Sequence, residues 1–384
     1  MREKKIIIWG TSVKKIADEA QLLAIMTIVK QQIENPYLVI ITAYPEEVEA
    51  LLGKMKIKGK AVRLLHFFSV ASSLFGAKWL LIIGGPFYED TKQMLSHLYL
   101  RVLTMLYGVS VIAYGTTFFQ TKTKTGRLFY RWLFNSFKML APRERDGMQI
   151  INALGIHKQT YQAVDIRFSL EPSSRDTVHQ ILKNEGLDSS KPYLTVTTRY
   201  LHDGMPEWVK KAHDYSPENL QSANDALSAL FEKLAERFQI VLIPMHPSMQ
   251  EDLETAKVLS TRIKEQTRFC VLKKRYDPQE VIGLIHFSSF LIAGRLGSTI
   301  FATLATTPFL GIAYESRMFD FMERSGLQDY CFDWKALDSK EILGQIDRLL
   351  ANREKLENIL KQEKLENKEQ VILDANQLLK VGDG

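Results

Sequence analysis

The stretch KKIIIWGTSVKKIADEAQLLAIMTIVKQQIENPYLVIITAYPEEVEALLGKM, residues Lys4 to Met55, decides the fold. Within it, KKIIIWG (4–10) and YLVIITAY (37–44) are short, continuous apolar runs of strand length. They alternate with ADEAQLLAIMTIVKQQIE (17–34) and PEEVEALLGKM (45–55), whose apolar residues recur with helical spacing. Continuous apolar strands separated by helices imply a parallel sheet covered on both faces.

Outward from there the alternation persists. WLLIIGG (79–85) and VSVIAYG (109–115) read as further strands, KMLAPRERDGMQIINALGI (138–156) as a strand-like approach and a helix, and YQAVDIRF (161–168) as a short closing strand. A first Rossmann-like domain is therefore expected over residues 1–170. Residues 171–190 hold Pro, Ser and charge around a helical centre and suit a connection. The pattern then repeats through PYLTVTTRY (192–200), a helix from Pro217 to Arg237, QIVLIPMH (239–246), FCVLKK (269–274), FLIAGR (290–295) and PFLGIAY (308–314). That is a second doubly wound α/β domain, expected over 191–334. Residues 335–384 are strongly charged and read as helices with i,i+4 charge support on a solvated face.

Composition sets bounds on function. With 46% apolar and 24% charged residues among 384, the chain is an ordinary globular protein with material for two cores. Its formal charge of +6 favours anionic ligands. Nucleic acid is not implied, because the basic residues are scattered outside one segment. The two cysteines, Cys270 and Cys331, have no metal-ligand or disulfide spacing, so no metal and no cofactor is expected and a reducing compartment fits. MREKKIIIWG lacks the apolar stretch and cleavage site of a secretory signal, which points to a cytoplasmic location. Val102 to Thr121 is uncharged over a membrane-spanning length, but Gly108 and Gly115 bracket a β-branched run and predict helix, turn and strand.

In open parallel sheets ligands gather at the carboxyl ends of the strands, so the residues after each apolar run are the informative ones. In the first half these are Gly10-Thr11-Ser12, Gly84-Gly85-Pro86, Gly115-Thr116-Thr117 and Arg143. Glycine there lets backbone approach a ligand, although each also suits a tight turn. In the second half they are Arg199, His246 and Arg295, a cationic rim. Guanidinium groups hold phosphate or carboxylate bidentately, and Ser298-Thr299 after Arg295 are placed to open a helix whose amides add to anion binding. The alternative for each arginine is a structural ion pair. Glu315, after the last apolar strand, is a candidate general base or a partner for Arg295.

Thr121 to Arg143 is the one local concentration of charge, with Lys122, Lys124, Arg127, Arg131, Lys138 and Arg143, no acid, and interleaved aromatics. As a helix over 122–143 it sets Arg127, Arg131, Asn135 and Lys138 on one face and Phe129, Leu133, Phe137 and Leu140 on another. This suits peripheral docking on the anionic inner face of a membrane, or an amphipathic helix packed on the sheet.

The order of ADEAQL (17–22), IIGGPFYED (82–90), VIAYGTT (111–117), APRERDGMQIINALGI (141–156), AVDIRF (163–168), TVTTRY (195–200), IPMHPSMQED (243–252), FLIAGRLGSTIFA (290–302) and AYESRMFDF (313–321) resembles the polysaccharide pyruvyl transferase family. The resemblance covers most of Trp9 to Trp334. It implies two Rossmann-like halves facing across a cleft in the GT-B arrangement, and transfer of the enolpyruvyl-derived unit of phosphoenolpyruvate to a saccharide in cell-wall or exopolysaccharide biosynthesis. On that reading Arg199 and Arg295 grip the donor, aided by Ser298 and Thr299. Asp18, Glu19, Gly84, Gly85, Gly115, Thr116 and Arg143 line the acceptor side, with a lipid-linked acceptor sugar fitting the basic segment.

Three departures stand out. The family's glycine-rich N-terminal loop is replaced by Lys14-Lys15-Ile16-Ala17 before Asp18 and Glu19. The family's arginine-leucine-histidine element reads Arg295-Leu296-Gly297 here, so the expected proton donor is missing. Loss of a general acid costs about 10²–10⁴ in rate. Gly147 stands where a serine often follows the acidic residue. His246 or His202 is a candidate replacement donor. Two other readings fit the same residues: a GT-B glycosyltransferase with a nucleotide-sugar donor, and a non-catalytic relative that binds a saccharide.

Overall fold

The computed structural model describes residues 4–10, 13–87, 89–199, 215–246, 250–260, 263, 268–314 and 316–383. These form two compact units. The first comprises Met1–Val13, Asp18–Ser169 and Asn367–Gly384, and the second Lys14–Ala17 and Leu170–Glu366.

In the first unit the strands are β1 (Lys4–Trp9), β2 (Pro36–Thr42), β3 (Lys58–Arg63), β4 (Trp79–Ile83), β5 (Pro86–Phe87), β6 (Ser110–Phe118), β7 (Met139–Pro142) and β8 (Gln159–Thr160). They pair in the order β3-β2-β1-β4-β6-β7-β8, all parallel, with β5 beside the far end of β6. Helices α1 (Ile16–Gln32) and α2 (Pro45–Met55) follow β1 and β2. Helices α3 (Phe67–Leu74), α4 (Thr91–Leu106), α5 (Lys124–Asn135) and α6 (Arg145–Ala153) follow β3, β4, β6 and β7. Strand order reverses between β1 and β4. Right-handed crossovers therefore put α1 and α2 on one face and α3 to α6 on the other. Accordingly Leu74, Leu103, Tyr130, Leu133 and Ile151 share one buried cluster with Ile7, Leu80 and Val111 of the sheet.

Strand β3 escapes sequence reading because KGKAVR has no apolar run. It is an edge strand, where charge discourages unwanted pairing. The uncharged run from Val102 resolves into the end of α4, a turn at Gly108 (φ 66°) and β6. Among the described residues no helix is long and apolar enough to cross a membrane. Gly115 does not end its strand: it sits inside β6 with φ 60°, where the pairing with β7 shifts register, so its freedom serves a bulge. The helix expected over 122–143 is α5 alone. Residues 139–142 are β7, and the buried side of α5 carries Tyr130, Leu133 and Phe134.

Helix α4 buries His97, 5% exposed, against Phe87 (ring centroids 4.7 Å apart) and edge-on to Trp9 (5.2 Å). Burial pulls the imidazole pKa from 6.5 to about 4. Between those values the unfolded chain binds a proton that the folded one refuses, so stability falls as pH drops through this window. The full span corresponds to roughly 3 kcal/mol. Urea unfolding from pH 7 to pH 4 should show that slope in the wild type and a flatter one in His97→Leu; equal slopes would rule His97 out as its source.

In the second unit β9 (Tyr193–Thr197), β10 (Gln239–Leu242), β11 (Phe269–Val271), β12 (Leu291–Ala293), β13 (Phe309–Ala313) and β14 (Cys331–Asp333) form a parallel sheet in the order β11-β10-β9-β12-β13-β14. Its helices are α7 (Arg175–Asn184), α8 (Pro217–Ala235), α9 (Gln250–Ser260), α10 (Pro278–His286), α11 (Leu296–Ala305), α12 (Ser316–Arg324) and α13 (Ser339–Ala351). A last helix, α14 (Arg353–Asp383), divides the charged segment 335–384 between the units: it belongs to the second through Glu366 and to the first from Asn367. In the first unit its Val371, Ala375 and Leu378 are buried. Asp374 Oδ2 accepts from the Tyr114 hydroxyl of β6 (2.9 Å) and the Val164 amide (3.3 Å). The apolar stripe that buries it is hidden in the sequence by the density of charge around it.

Candidate functional site

In the second sheet the order reverses between β9 and β12, the position where open sheets form a ligand crevice. Arg199 and Arg295 each follow one of these neighbouring strands. Gly294, before Arg295, donates its amide to the Thr197 carbonyl at 2.7 Å. A Cβ on Gly294 would stand 2.6 Å from that oxygen, so no larger residue fits this close approach.

Arg295 precedes α11 and pairs with Asp252 of α9, while its Nε donates to the Thr198 carbonyl at 3.0 Å. Asp252 is fully buried. Its second oxygen accepts from the amides of Met245 (2.6 Å) and His246 (3.0 Å). One carboxylate thus ties the ends of β9, β10 and β12 together, and a buried charge of this kind is tolerable only with such partners. The Arg199 guanidinium lies 4.3 Å from the centroid of the Tyr314 ring, after β13, and donates to the Tyr314 hydroxyl. Arg199 and Arg295 are partly exposed, as is His246.

Ser298 and Thr299 are fully buried. The Ser298 hydroxyl donates to the Arg295 carbonyl (2.6 Å) and lies 2.7 Å from the Thr197 hydroxyl; that of Thr299 donates to the Leu296 carbonyl (2.7 Å). These hydroxyls shape the turn that presents Arg295, and the start of α11 supplies its dipole there. Beneath Arg199 a cavity of about 20 Å³ is lined by Thr198, Tyr215, Gly294, Tyr314 and Trp334. Tyr215 stacks on Trp334 at 4.2 Å, and Thr198 Oγ1 and Trp334 Nε1 are buried without hydrogen-bond partners. Glu315, His202, Thr11 and Ser12 lie outside the described residues.

In the first unit the corresponding reversal lies between β1 and β4, which end at Gly10 and at Gly84-Gly85. Gly10 has φ 112°, and a Cβ on it would stand 2.6 Å from the Ile83 carbonyl; one on Gly85 would stand 3.0 Å from the Gly10 carbonyl. These two glycines let the backbones just beyond β1 and β4 approach closely. Gly84 adopts φ 76°. Asp18 and Glu19 fall in the first turn of α1, Asp18 half-buried and Glu19 buried.

At the ends of β6 and β7 is a buried network that the sequence singled out through Thr116, Thr117 and Arg143. Arg143 donates to Glu144 Oε1 (2.7 Å), to Asp165 (3.2 Å) and to the Thr117 hydroxyl (3.2 Å). Arg167 clasps the same Asp165 through Nε (2.8 Å) and a terminal nitrogen (2.6 Å). Burial alone would raise the Asp165 pKa. Arg167 first, then Arg143, hold it well below the usual carboxylate range. The Glu144 carboxylate oxygen Oε2 and the Thr116 hydroxyl are buried with no hydrogen-bond partner, an uncommon condition for buried polar atoms. Gly147 is fixed by packing, since a Cβ there would stand 2.6 Å from the Pro142 side chain. Glu144, Asp165, Arg167, Asp252 and Tyr314 are the residues that sequence reading missed as site members. Their only trace was a charged or aromatic residue within a motif. Among the described residues no group of three or more His, Cys, Asp or Glu is placed to hold a metal ion.

Known proteins share this architecture. The family model for polysaccharide pyruvyl transferase matches residues 18–316. No curated protein matches the chain in sequence. Among solved structures, a glycosyltransferase from Rickettsia africae is similar with TM-score 0.62 and 10% identity, over 100% of this chain and 99% of that one. UDP-GlcNAc 2-epimerase from Neisseria meningitidis, bound to UDP-GlcNAc, is similar with TM-score 0.60 and 13% identity, over 99% and 100%. ADP-heptose lps heptosyltransferase II of E. coli gives TM-score 0.52 and 12% identity, over 91% and 99%. At these identities the likeness is one of fold: two Rossmann-like α/β units of the glycosyltransferase and epimerase kind.

Proposed function

The chain belongs to the polysaccharide pyruvyl transferase family, and we propose that it converts phosphoenolpyruvate and two hydroxyls of a saccharide into a cyclic pyruvate ketal and inorganic phosphate. The observation that carries this reading is the pair of partly exposed guanidinium groups, Arg199 and Arg295, at the ends of adjacent strands β9 and β12. Phosphoenolpyruvate offers them a phosphate and a carboxylate on neighbouring atoms, matching two planar donors. Ser298 and Thr299 hold the Arg295 turn.

In the first step the methylene carbon of the donor takes a proton while a saccharide hydroxyl adds to the carbon bearing the phosphate. In the second, another hydroxyl adds to the same carbon and phosphate leaves. With Gly297 in place of the family's histidine, His246, held by its amide to Asp252 at the end of β10, is the proposed proton donor. Glu315 is the proposed base by its place after β13. On the acceptor side the half-buried Asp18 and the strand-end glycines Gly84 and Gly85 are proposed to meet the saccharide hydroxyls, with Glu19, Gly115, Thr116 and Arg143 in supporting roles. A lipid-linked acceptor at the cytoplasmic face of an anionic membrane suits the basic helix α5.

Gly297 also favours a second reading, a relative that binds without turnover. Thermal-shift measurements separate the readings: phosphoenolpyruvate at a hundred times its Kd should stabilise the protein by about 2.7 kcal/mol, with UDP-GlcNAc and ADP-sugars inert. Stabilisation by a nucleotide sugar and not by phosphoenolpyruvate would replace the donor assignment. Stabilisation by phosphoenolpyruvate with no phosphate released in the presence of acceptor glycans would favour the non-catalytic relative.

A further inference from the structure

Helices α3, α4 and α5 are apolar on two sides, and we propose that their outward side is a docking surface for an anionic lipid membrane. The inward side packs on the sheet through Leu74, Leu103 and Leu133. The outward side of α4 carries Leu95, Leu98, Val102 and Met105, spaced three, four and three residues apart and 59%, 38%, 45% and 56% exposed. That spacing is one continuous stripe along a helix. On α5, Leu128 and Trp132 stand one turn apart at 67% and 43% exposure, and Phe68 at the start of α3 is 85% exposed.

The three helices are neighbours. The Phe67 ring of α3 lies 6.3 Å from Tyr99 of α4, and Arg101 of α4 donates to the Ser136 hydroxyl, just after α5, at 2.7 Å. Contiguous exposed apolar surface of this kind marks an interaction site.

Charge identifies the occupant. No acidic residue lies in α3, α4 or α5, whereas Lys92, Arg101, Lys124, Arg127 and Arg131 do. The two acids in the intervening chain are engaged: Glu89 accepts from the Thr123 amide (3.0 Å) and Asp90 caps α4 through the Gln93 amide (3.0 Å). A second copy docked on this face would set positive against positive, which is unfavourable. An apolar stripe with exposed aromatics and a purely basic rim instead fits the headgroup and acyl boundary of an anionic bilayer. Helix α5 alone gives a basic flank; the folded unit adds the apolar stripe of α4.

The surface deepens the acceptor side of the proposed function without depending on it, because vesicle binding is read without donor, acceptor or turnover. The full chain should co-sediment with vesicles of equal parts phosphatidylglycerol and phosphatidylcholine, and weakly with phosphatidylcholine alone. Leu98→Gln/Val102→Gln/Trp132→Gln and, separately, Lys124→Glu/Arg131→Glu should each lower binding about tenfold or more, each juxtamembrane charge contributing a roughly fivefold factor. Should the apolar variant not fold, the charge variant decides alone. The proposal is overturned if the wild type leaves anionic vesicles unbound, or if the variants that fold bind like wild type. It is equally overturned by a wild-type dimer that these variants split without affecting vesicle binding.

Discussion

Arg199→Ala is expected to lower kcat/KM for phosphoenolpyruvate by roughly ten- to a hundredfold, the worth of about 1.5–3 kcal/mol for a hydrogen bond to a charged group. Arg199→Lys should recover little, because a point charge cannot reproduce the guanidinium fork. The Arg199 guanidinium packs on the Tyr314 ring and donates to its hydroxyl, so the melting temperature of the variant separates lost donor binding from lost packing. Arg295 differs, because it also compensates the fully buried Asp252, and removing it confounds binding with folding. The measurement is steady-state phosphate release with acceptor in excess, alongside the melting temperature. Unchanged kcat/KM in Arg199→Ala would remove this arginine from donor binding.

The second large effect is structural. Asp165→Ala should destabilise the protein by about 3–5 kcal/mol, because it leaves the guanidinium groups of Arg143 and Arg167 buried without their shared carboxylate. The Arg167 side chain is 4% exposed, so its charge would stay desolvated in the folded variant. The pH sign follows from the same geometry. The folded-state pKa lies below the unfolded value, so the stabilisation is complete above about pH 4 and is lost as pH falls below it. That window lies below the His97 window, so unfolding curves against pH should resolve the two. Asp165→Ala should lose stability at neutral pH while keeping the slope between pH 4 and 6.5. A wild-type-like midpoint for Asp165→Ala at pH 7 would contradict the buried-pair account.

The sequence by itself determined that the chain makes two doubly wound α/β sheets, because each buried parallel strand is a continuous apolar run and each crossover helix carries its own period. It also marked Gly84, Gly85, Arg199 and Arg295 as candidate site residues, since each lies at the end of such a run. The pattern does not encode what pairs with what across the chain. Asp252 meets Arg295, and Asp165 sits between Arg143 and Arg167, through contacts that leave no periodic trace. Edge strand β3 was invisible because its charges, not apolar residues, protect it. The bulge at Gly115 needed the register of β7, and the burial of Asp374 in the first unit needed the partner hydroxyl of Tyr114. Only the tertiary structure could show that the outward stripe of α4 stays uncovered. Helical periodicity marks which residues share a face, whereas burial of that face depends on whether another element packs over it.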